Sequence, residues 1–276
     1  MKVKAGIQDN YSSRNPAFSF SQIKSFFKFT NSQVSLVTAL VSFLVPVLSG
    51  SAIDYKCHLF IFLSTCFIYN FDHSRISAAD QINSPERSKW FIRNSRLVKS
   101  LNGFCVLAAL ILILSSPVQS QMFAFSLLPV CLLYSLNERI KHIPGMKSLI
   151  ISMVWSSTCI LLPALWYQEE FPFLAALLCA IAAFINTLFF DLRDYRGDKL
   201  TGQKSLPVYL GLKKTRNLIR ILCLILISVA VIDKSLIGFA LLSLSYLAID
   251  FKALENQSQL IDSLLILSLL GLVFQA

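Results

Sequence analysis

The sequence predicts an all-α fold: a multi-span transmembrane helical bundle with about nine transmembrane helices. Three observations carry this. Of 276 residues, 55% are apolar and only 14% are charged, against roughly 25% charged in a soluble domain. The apolar residues gather in runs close to the roughly 20 residues that a spanning helix needs. The basic residues fall almost entirely on one side of those runs. Together with a mean hydropathy of +0.64, these features exclude an ordinary cytosolic globular protein, a disordered chain and a disulfide scaffold.

Taken in order, the runs are 33–53, 57–71, 97–115, 118–136, 147–168, 171–190, 216–232, 235–250 and 260–275. Turn and cap residues separate several of them: Ser115, Ser116 and Pro117; Pro144 and Gly145; Phe171 and Pro172; Asp233 and Lys234. None alternates with a period of two, so a membrane barrel is not indicated. Helices are expected because lipid satisfies no backbone polar group. Residues 1–30 are polar and basic, with no short apolar core followed by a cleavage site, and read as a cytoplasmic tail ahead of a domain over 31–276. Within the tail, the stretch from Ser19 to Phe29 reads equally as an amphipathic interfacial helix or as a plain basic flank.

The formal net charge is +10. In a soluble protein that excess would point to nucleic acid, but here its distribution points to a membrane face. With nine spans, 23 Lys and Arg lie on one side and only Lys56 and Lys234 on the other. By the positive-inside rule the N-terminus and the loops at 72–96, 137–147 and 191–215 are cytoplasmic, in a plasma or inner membrane. The seven cysteines are scattered through apolar runs with no CxxC, and the three histidines form no cluster. They read as small, polarizable filler within helices. No nucleic-acid partner is indicated.

Acidic residues concentrate on the same face. Asp191, Asp194 and Asp198 follow the sixth run at i, i+3 and i+7, which puts all three on one face if the helix continues. Carboxylates so placed repel one another unless a cation lies between them. Mg2+, a hard ion that takes oxygen ligands and bridges to phosphate, is the natural partner. Arg193, Arg196, Lys199 and Lys204 stand ready for the remaining phosphate oxygens. A second acidic stretch follows the second run, with Asn70, Asp72 and Asp80. On one continuous helix Asp72 and Asp80 would be about 80° and 12 Å apart, too far to share an ion without a bend. A third polar stretch, Tyr134 to Lys147, follows the fourth run.

The segment DLRDYRGDKLTGQKSLPVYLG, residues 191–211, resembles the second aspartate-rich motif of the UbiA superfamily of intramembrane prenyltransferases. Asp194 and Asp198 fall on its DxxxD pair and Asp191 on a further aspartate common in the family. The first motif, N-D-x-x-D-x-x-x-D, is departed from: aligning Asn70 with its Asn puts Phe71 and Ser74 where acids belong, aligning Asp72 with its middle Asp leaves Ile76 at the third position, and only Asp72 and Asp80 remain nearby; Asn83, Pro85, Glu86 and Arg87 downstream again resemble the family. Tyr134, Arg139 and Pro144 match a third family loop, in which Glu138 replaces the usual Lys.

The resemblance implies a membrane prenyltransferase that moves a prenyl group from a polyprenyl diphosphate to an acceptor, aromatic in many members, with Mg2+. On this reading Asp191, Asp194 and Asp198 hold one metal, and Asp72, with Asn70 and Asp80 nearby, the other. Arg139, Lys147, Arg193, Lys199 and Lys204 contact the diphosphate. Because the first motif has few acids, its metal is expected to be weak or replaced by a basic side chain such as Arg75 or Arg87. Two alternatives remain open. One is a UbiA-like membrane protein without turnover that binds a prenyl lipid or a partner. The other is a transporter, for which charge-poor spans argue poorly.

Overall fold

The computed structural model describes residues 20–233 and 237–248. Among them every regular element is helical: α1 (Phe20–Phe29), α2 (Ser32–Ser42), α3 (Leu44–Ser49), α4 (Tyr55–His73), α5 (Ala78–Asn83), α6 (Pro85–Arg93), α7 (Ser95–Leu114), α8 (Val118–Leu136), α9 (Glu138–Lys141), α10 (Met146–Ser156), α11 (Leu162–Tyr167), α12 (Phe173–Thr201), α13 (Leu206–Leu210), α14 (Leu212–Ile232) and α15 (Ile237–Leu247).

Prolines explain the interruptions. Pro46 has no N–H to offer the carbonyl of Ser42, and the first span breaks there into α2 and α3. Pro163 likewise leaves the preceding turn short of a donor. A π-turn over Ser157–Leu161 absorbs the shift and joins α10 to α11 in one span.

Six of the described helices, taking α2–α3 and α10–α11 as single units, are long and apolar enough to cross a bilayer: Ser32–Ser49, Ser95–Leu114, Val118–Leu136, Met146–Tyr167, Phe173–Thr201 and Leu212–Ile232. The expected count of about nine is not reached. The run at 57–71 falls on α4, whose 19 residues include Lys56, His58, Asn70, Asp72 and His73, which lower its hydropathy. The run at 235–250 falls on α15, described over 11 residues, and the run at 260–275 lies outside the described residues.

One core is built around α12, against which α2, α10, α14 and α15 pack; a second joins α4, α7 and α11. The centre of the bundle is α12: 61% of its apolar window is buried, against 17% for α8. The outward sides of α7, α8 and α14 carry exposed apolar residues such as Phe104, Met122 and Ile221, as a lipid solvent requires. All seven cysteines are buried, as filler should be. At 29 residues α12 is about 43 Å long, well over the roughly 30 Å of hydrocarbon. It therefore carries Asp191, Asp194 and Asp198 at its C-terminal end before stopping at Gly202, whose φ of 75° lies in the left-handed region open to glycine.

Candidate active site

The second acidic stretch continues its helix, the condition on which the one-face reading depended, but the three carboxylates do not converge. Asp191 is fully buried and turned to α10, where Oδ1 accepts from Lys147 Nζ at 2.7 Å and Oδ2 from Ser148 Oγ at 2.8 Å. Asp194 faces a cavity and is gripped by its own neighbour: Arg193 Nε and Nη2 donate to its two oxygens at 2.8 and 3.0 Å. Asp198, 2% exposed, lines the same cavity; Oδ1 accepts from Asn83 Nδ2 at 3.3 Å, while Oδ2 is buried with no hydrogen-bond partner. The one-face spacing was sound, spanning an arc of about 60°. The sequence did not reveal that Lys147 would claim one member of the set.

The first acidic stretch departs further from expectation. The helix does not run on from Asp72 to Asp80. It ends at His73, and α5 begins at Ala78 after a turn through Ser77. Ser77 and Asp80 form a capping box, with Asp80 Oδ2 accepting from Ser77 N at 3.0 Å and Ser77 Oγ at 2.7 Å. The other oxygen of Asp80 accepts from Arg87 Nη2 at 3.0 Å. The turn brings Asp72 and Asp80 onto one cavity wall, removing the separation a continuous helix would impose. It also commits Asp80 to capping and to Arg87 rather than to a metal. Asn70, placed with the substrate by the sequence reading, is fully buried; it accepts from Asn31 Nδ2 at 3.0 Å and donates to Cys66 Sγ at 3.3 Å. It is a packing residue beneath the cavity.

One contact locks the two stretches together. The Asn83 side chain accepts from the Gly197 N–H at 3.0 Å while donating to Asp198. A Cβ at position 197 would stand 2.1 Å from Asn83 Oδ1, so glycine leaves the room that this Asn83 contact needs.

The cavity measures about 520 Å3. Asp72, Asp80, Asp194 and Asp198 share it with four cations, Lys28, Arg87, Lys147 and Arg193. Each cation rests on an acid: Lys28 on Glu86 at 3.5 Å, Arg87 on Asp80 at 3.0 Å, Lys147 on Asp191 at 2.7 Å and Arg193 on Asp194 at 2.8 Å. Burial lowers the pKa of the Arg87 guanidinium and the neighbouring Arg193 charge adds to this, while Asp80, Asp194 and Asp72 act in the opposite sense. Arg87 thus sits within the field of both acidic stretches. Of the other predicted phosphate contacts, Lys147 and Arg193 line the cavity; Arg139, Lys199 and Lys204 are exposed and lie outside its lining. Lys199 Nζ instead lies 5.8 Å from the Tyr195 ring centroid. Lys28, on α1, was not singled out as a site residue; its position became legible only once α1 folded across the cavity.

Deeper in the bundle an apolar cavity of about 280 Å3 lies between α4, α7, α8 and α10. Tyr69 and Trp155 line both spaces, and Trp155 Nε1 donates to Tyr69 Oη at 2.8 Å. A polar chamber thus meets a lipid-like one at an aromatic pair.

The test for a metal is the donor set. Asp198 offers a buried, unpartnered carboxylate oxygen, and Asp194 is the next acid on the same wall; these suit a divalent cation. Both acids have their oxygens engaged, but those of Asp194 are held by the one guanidinium of Arg193, whereas those of Asp80 close the α5 cap and hold Arg87; Asp80 and the buried Asn70 are the poorer donors. No cluster of three or more His, Cys, Asp or Glu side chains suited to a metal occurs among the described residues.

Comparison with known proteins agrees with this architecture. No curated protein matches the chain. Two solved structures share its fold. One, from work on a digeranylgeranylglyceryl phosphate synthase in membranes, has a TM-score of 0.57 and 15% identity over 92% of this chain and 97% of that one. The other, a UbiA homologue from Archaeoglobus fulgidus bound to DMAPP and Mg2+, has a TM-score of 0.60 and 14% identity over 91% and 99%. The model of the UbiA prenyltransferase family matches residues 94–254, a stretch that takes in the whole of α12 with its three aspartates. Because that match spans more than half of the sequence, the chain belongs to the UbiA prenyltransferase family.

Proposed function

We propose that the protein is a membrane prenyltransferase that transfers a prenyl group from a polyprenyl diphosphate to an acceptor of aromatic type, with Mg2+ at the acidic end of α12. The observation that carries this reading is the junction of two cavities: a charged chamber suited to diphosphate and an apolar chamber suited to its hydrocarbon tail, meeting at Tyr69 and Trp155.

Asp194 and Asp198 would hold the cation, which supplies Lewis-acid neutralisation of the diphosphate. Arg193 and Lys147 would receive the phosphate oxygens by charge-assisted hydrogen bonds, with Asp191 fixing where Lys147 points. Heterolysis of the allylic C–O bond sends its electron pair to the diphosphate. The acceptor then supplies the pair for the new bond and loses a proton. The ring faces of Tyr69 and Trp155 stand where an allylic cation would gain from them. Asp72, on the opposite wall, acts on the ionising state. The exposed Arg139, Lys199 and Lys204 contribute through the field at the mouth of the site. The one-sided distribution of Lys and Arg supports a cytoplasmic position for this mouth and for the N-terminus.

The test is direct. Protein purified in detergent is offered a panel of prenyl diphosphates and aromatic acceptors, and product mass is measured with and without Mg2+. The expected result is an acceptor heavier by one prenyl group only when Mg2+ is present. The commitment of Asp80 to its cap favours a second reading, a lipid-binding relative without turnover. Mg2+-dependent binding with no product across the panel would select it.

A further inference from the structure

Resting on the prenyltransferase reading, we propose that the diphosphate site of this chain takes a single divalent cation, at Asp194 and Asp198, and that the Arg87 guanidinium occupies the role of the second cation implied at the first acidic stretch.

Three observations lead there. First, the donors for a second ion are few. Both oxygens of Asp80 are engaged, one by the backbone and hydroxyl of Ser77 and the other by Arg87. Asn70 is buried against Asn31 and Cys66. Of the other acids lining the cavity on that side, Glu86 holds Lys28 at 3.5 Å and Asp72 belongs to the same stretch as Asp80, a sparse donor set for an ion that prefers several oxygen ligands. Second, the ligand for the first ion is ready-made: Asp198 Oδ2 is buried, unpartnered and part of the cavity wall. Third, a fixed positive charge already stands where the second ion would. Arg87 lines the cavity beside Asp72, Asp80 and Asp194, with its side chain 22% exposed. Its Nη2 is bonded to Asp80 and its Nη1 lies 3.4 Å from His73 Nε2.

A guanidinium offers five donors in a planar fork, so holding Asp80 leaves others for phosphate oxygens. Of the two basic candidates that the sequence offered, Arg75 is exposed and outside the cavity lining, whereas Arg87 is within it. The Asp80 cap then has a purpose beyond starting α5: it anchors the group that replaces the metal.

The experiment uses the whole protein in detergent, Mn2+ as the cation and inorganic diphosphate as the headgroup probe. Bound Mn2+ is counted by equilibrium dialysis with paramagnetic resonance detection. Wild type should hold one Mn2+ per bound diphosphate. Asp80→Asn, which retains a capping side chain, should leave that count at one. Arg87→Gln should weaken diphosphate binding about ten- to hundredfold, the usual worth of a charged hydrogen bond, and Arg87→Lys should recover part of it. Two Mn2+ in wild type, a lower count in Asp80→Asn, or full affinity in Arg87→Gln would overturn this inference and leave the prenyltransferase reading standing. If Arg87→Gln does not fold by size exclusion, the two Mn2+ counts decide alone. Failure of wild type to bind diphosphate with or without Mn2+ would remove the prenyltransferase reading and this inference with it.

Discussion

The two acidic stretches face each other across one cavity, yet they are built on different plans. At the end of α12 the carboxylates are carried by an unbroken helix that is the most buried in the bundle. At the end of α4 the helix stops, turns and restarts, and its acids help to make the turn. A rigid helix positions groups without using them. A turn consumes the polar side chains that form it, because the backbone donors it exposes must be satisfied. Asp198 is therefore left with an open oxygen, while Asp80 has none to spare. The UbiA family match, over residues 94–254, takes in the first of these plans and starts beyond the second.

The largest effect that would break this comparison is expected at α12. Asp198→Ala should reduce Mg2+-dependent turnover by at least about a thousandfold, the scale of losing a principal electrostatic contact in the transition state, with melting behaviour near that of wild type. Asp194→Ala should behave alike. Near-normal activity of either folded variant would deny α12 its role.

Next is the seam between the two plans. Gly197→Ala places a methyl group 2.1 Å from Asn83 Oδ1, so the Asn83 side chain must swing aside and give up its bonds to Gly197 N and Asp198. Overpacking of this kind costs about 1–3 kcal/mol. A lowered melting temperature together with weaker diphosphate binding is expected, and an unchanged melt would mean that the contact is slack. Asp72→Asn sharpens the contrast. An interaction made only in the transition state lowers kcat without weakening ground-state binding. Turnover should fall about ten- to hundredfold while binding of a non-ionisable thiolodiphosphate analogue is retained. Equal loss in both measurements would assign Asp72 to binding. The smallest effect belongs to the rim: Lys199→Gln, Lys204→Gln and Arg139→Gln should each change kcat/KM by less than about threefold at physiological salt, since exposed charges are largely screened there. A tenfold loss in any one would bring that side chain into the site.

Much of this arrangement could be read from the residues. The spacing of Asp191, Asp194 and Asp198 puts them on one face if the helix continues, and α12 does continue through them. Hydropathy located the long spans: six of the nine runs fall on membrane-length helices, α4 carries polar side chains that lower its hydropathy, and the run at 260–275 lies outside the described residues. The break after His73 had a legible sign, Ser77 followed three residues later by Asp80, which is a capping signature. Read as such, it would have placed the Asp80 carboxylate in the α5 cap. The pairing of Lys147 with Asp191, 44 residues apart, and the reach of Lys28 into the cavity had no such sign. They depend on how α10 and α1 pack, and spacing along one helix says nothing about a partner on another. Arg139, Lys199 and Lys204 were chosen for charge and proximity in sequence, neither of which fixes the direction of a side chain.

The pairing of every cavity cation with an acid has a consequence for how ligands arrive. A chamber lined by unopposed positive charge draws anions from a distance, and its capture rate falls steeply as salt rises. Here the four positive charges are each paired within 3.5 Å, so the chamber itself adds little to the far field. Free phosphate or diphosphate alone should gain little by entering, because each cation it took would strand a carboxylate. On the proposed reading, a divalent ion and a diphosphate arriving together would exchange partners with the resting pairs: Asp194 would turn from Arg193 to the ion, and Arg193 to the phosphate. Each ligand would then raise the affinity for the other by the same factor, as linkage requires. Discrimination would lie in the exchange of partners rather than in attraction, and a polar chamber built this way would ignore the many simple anions around it.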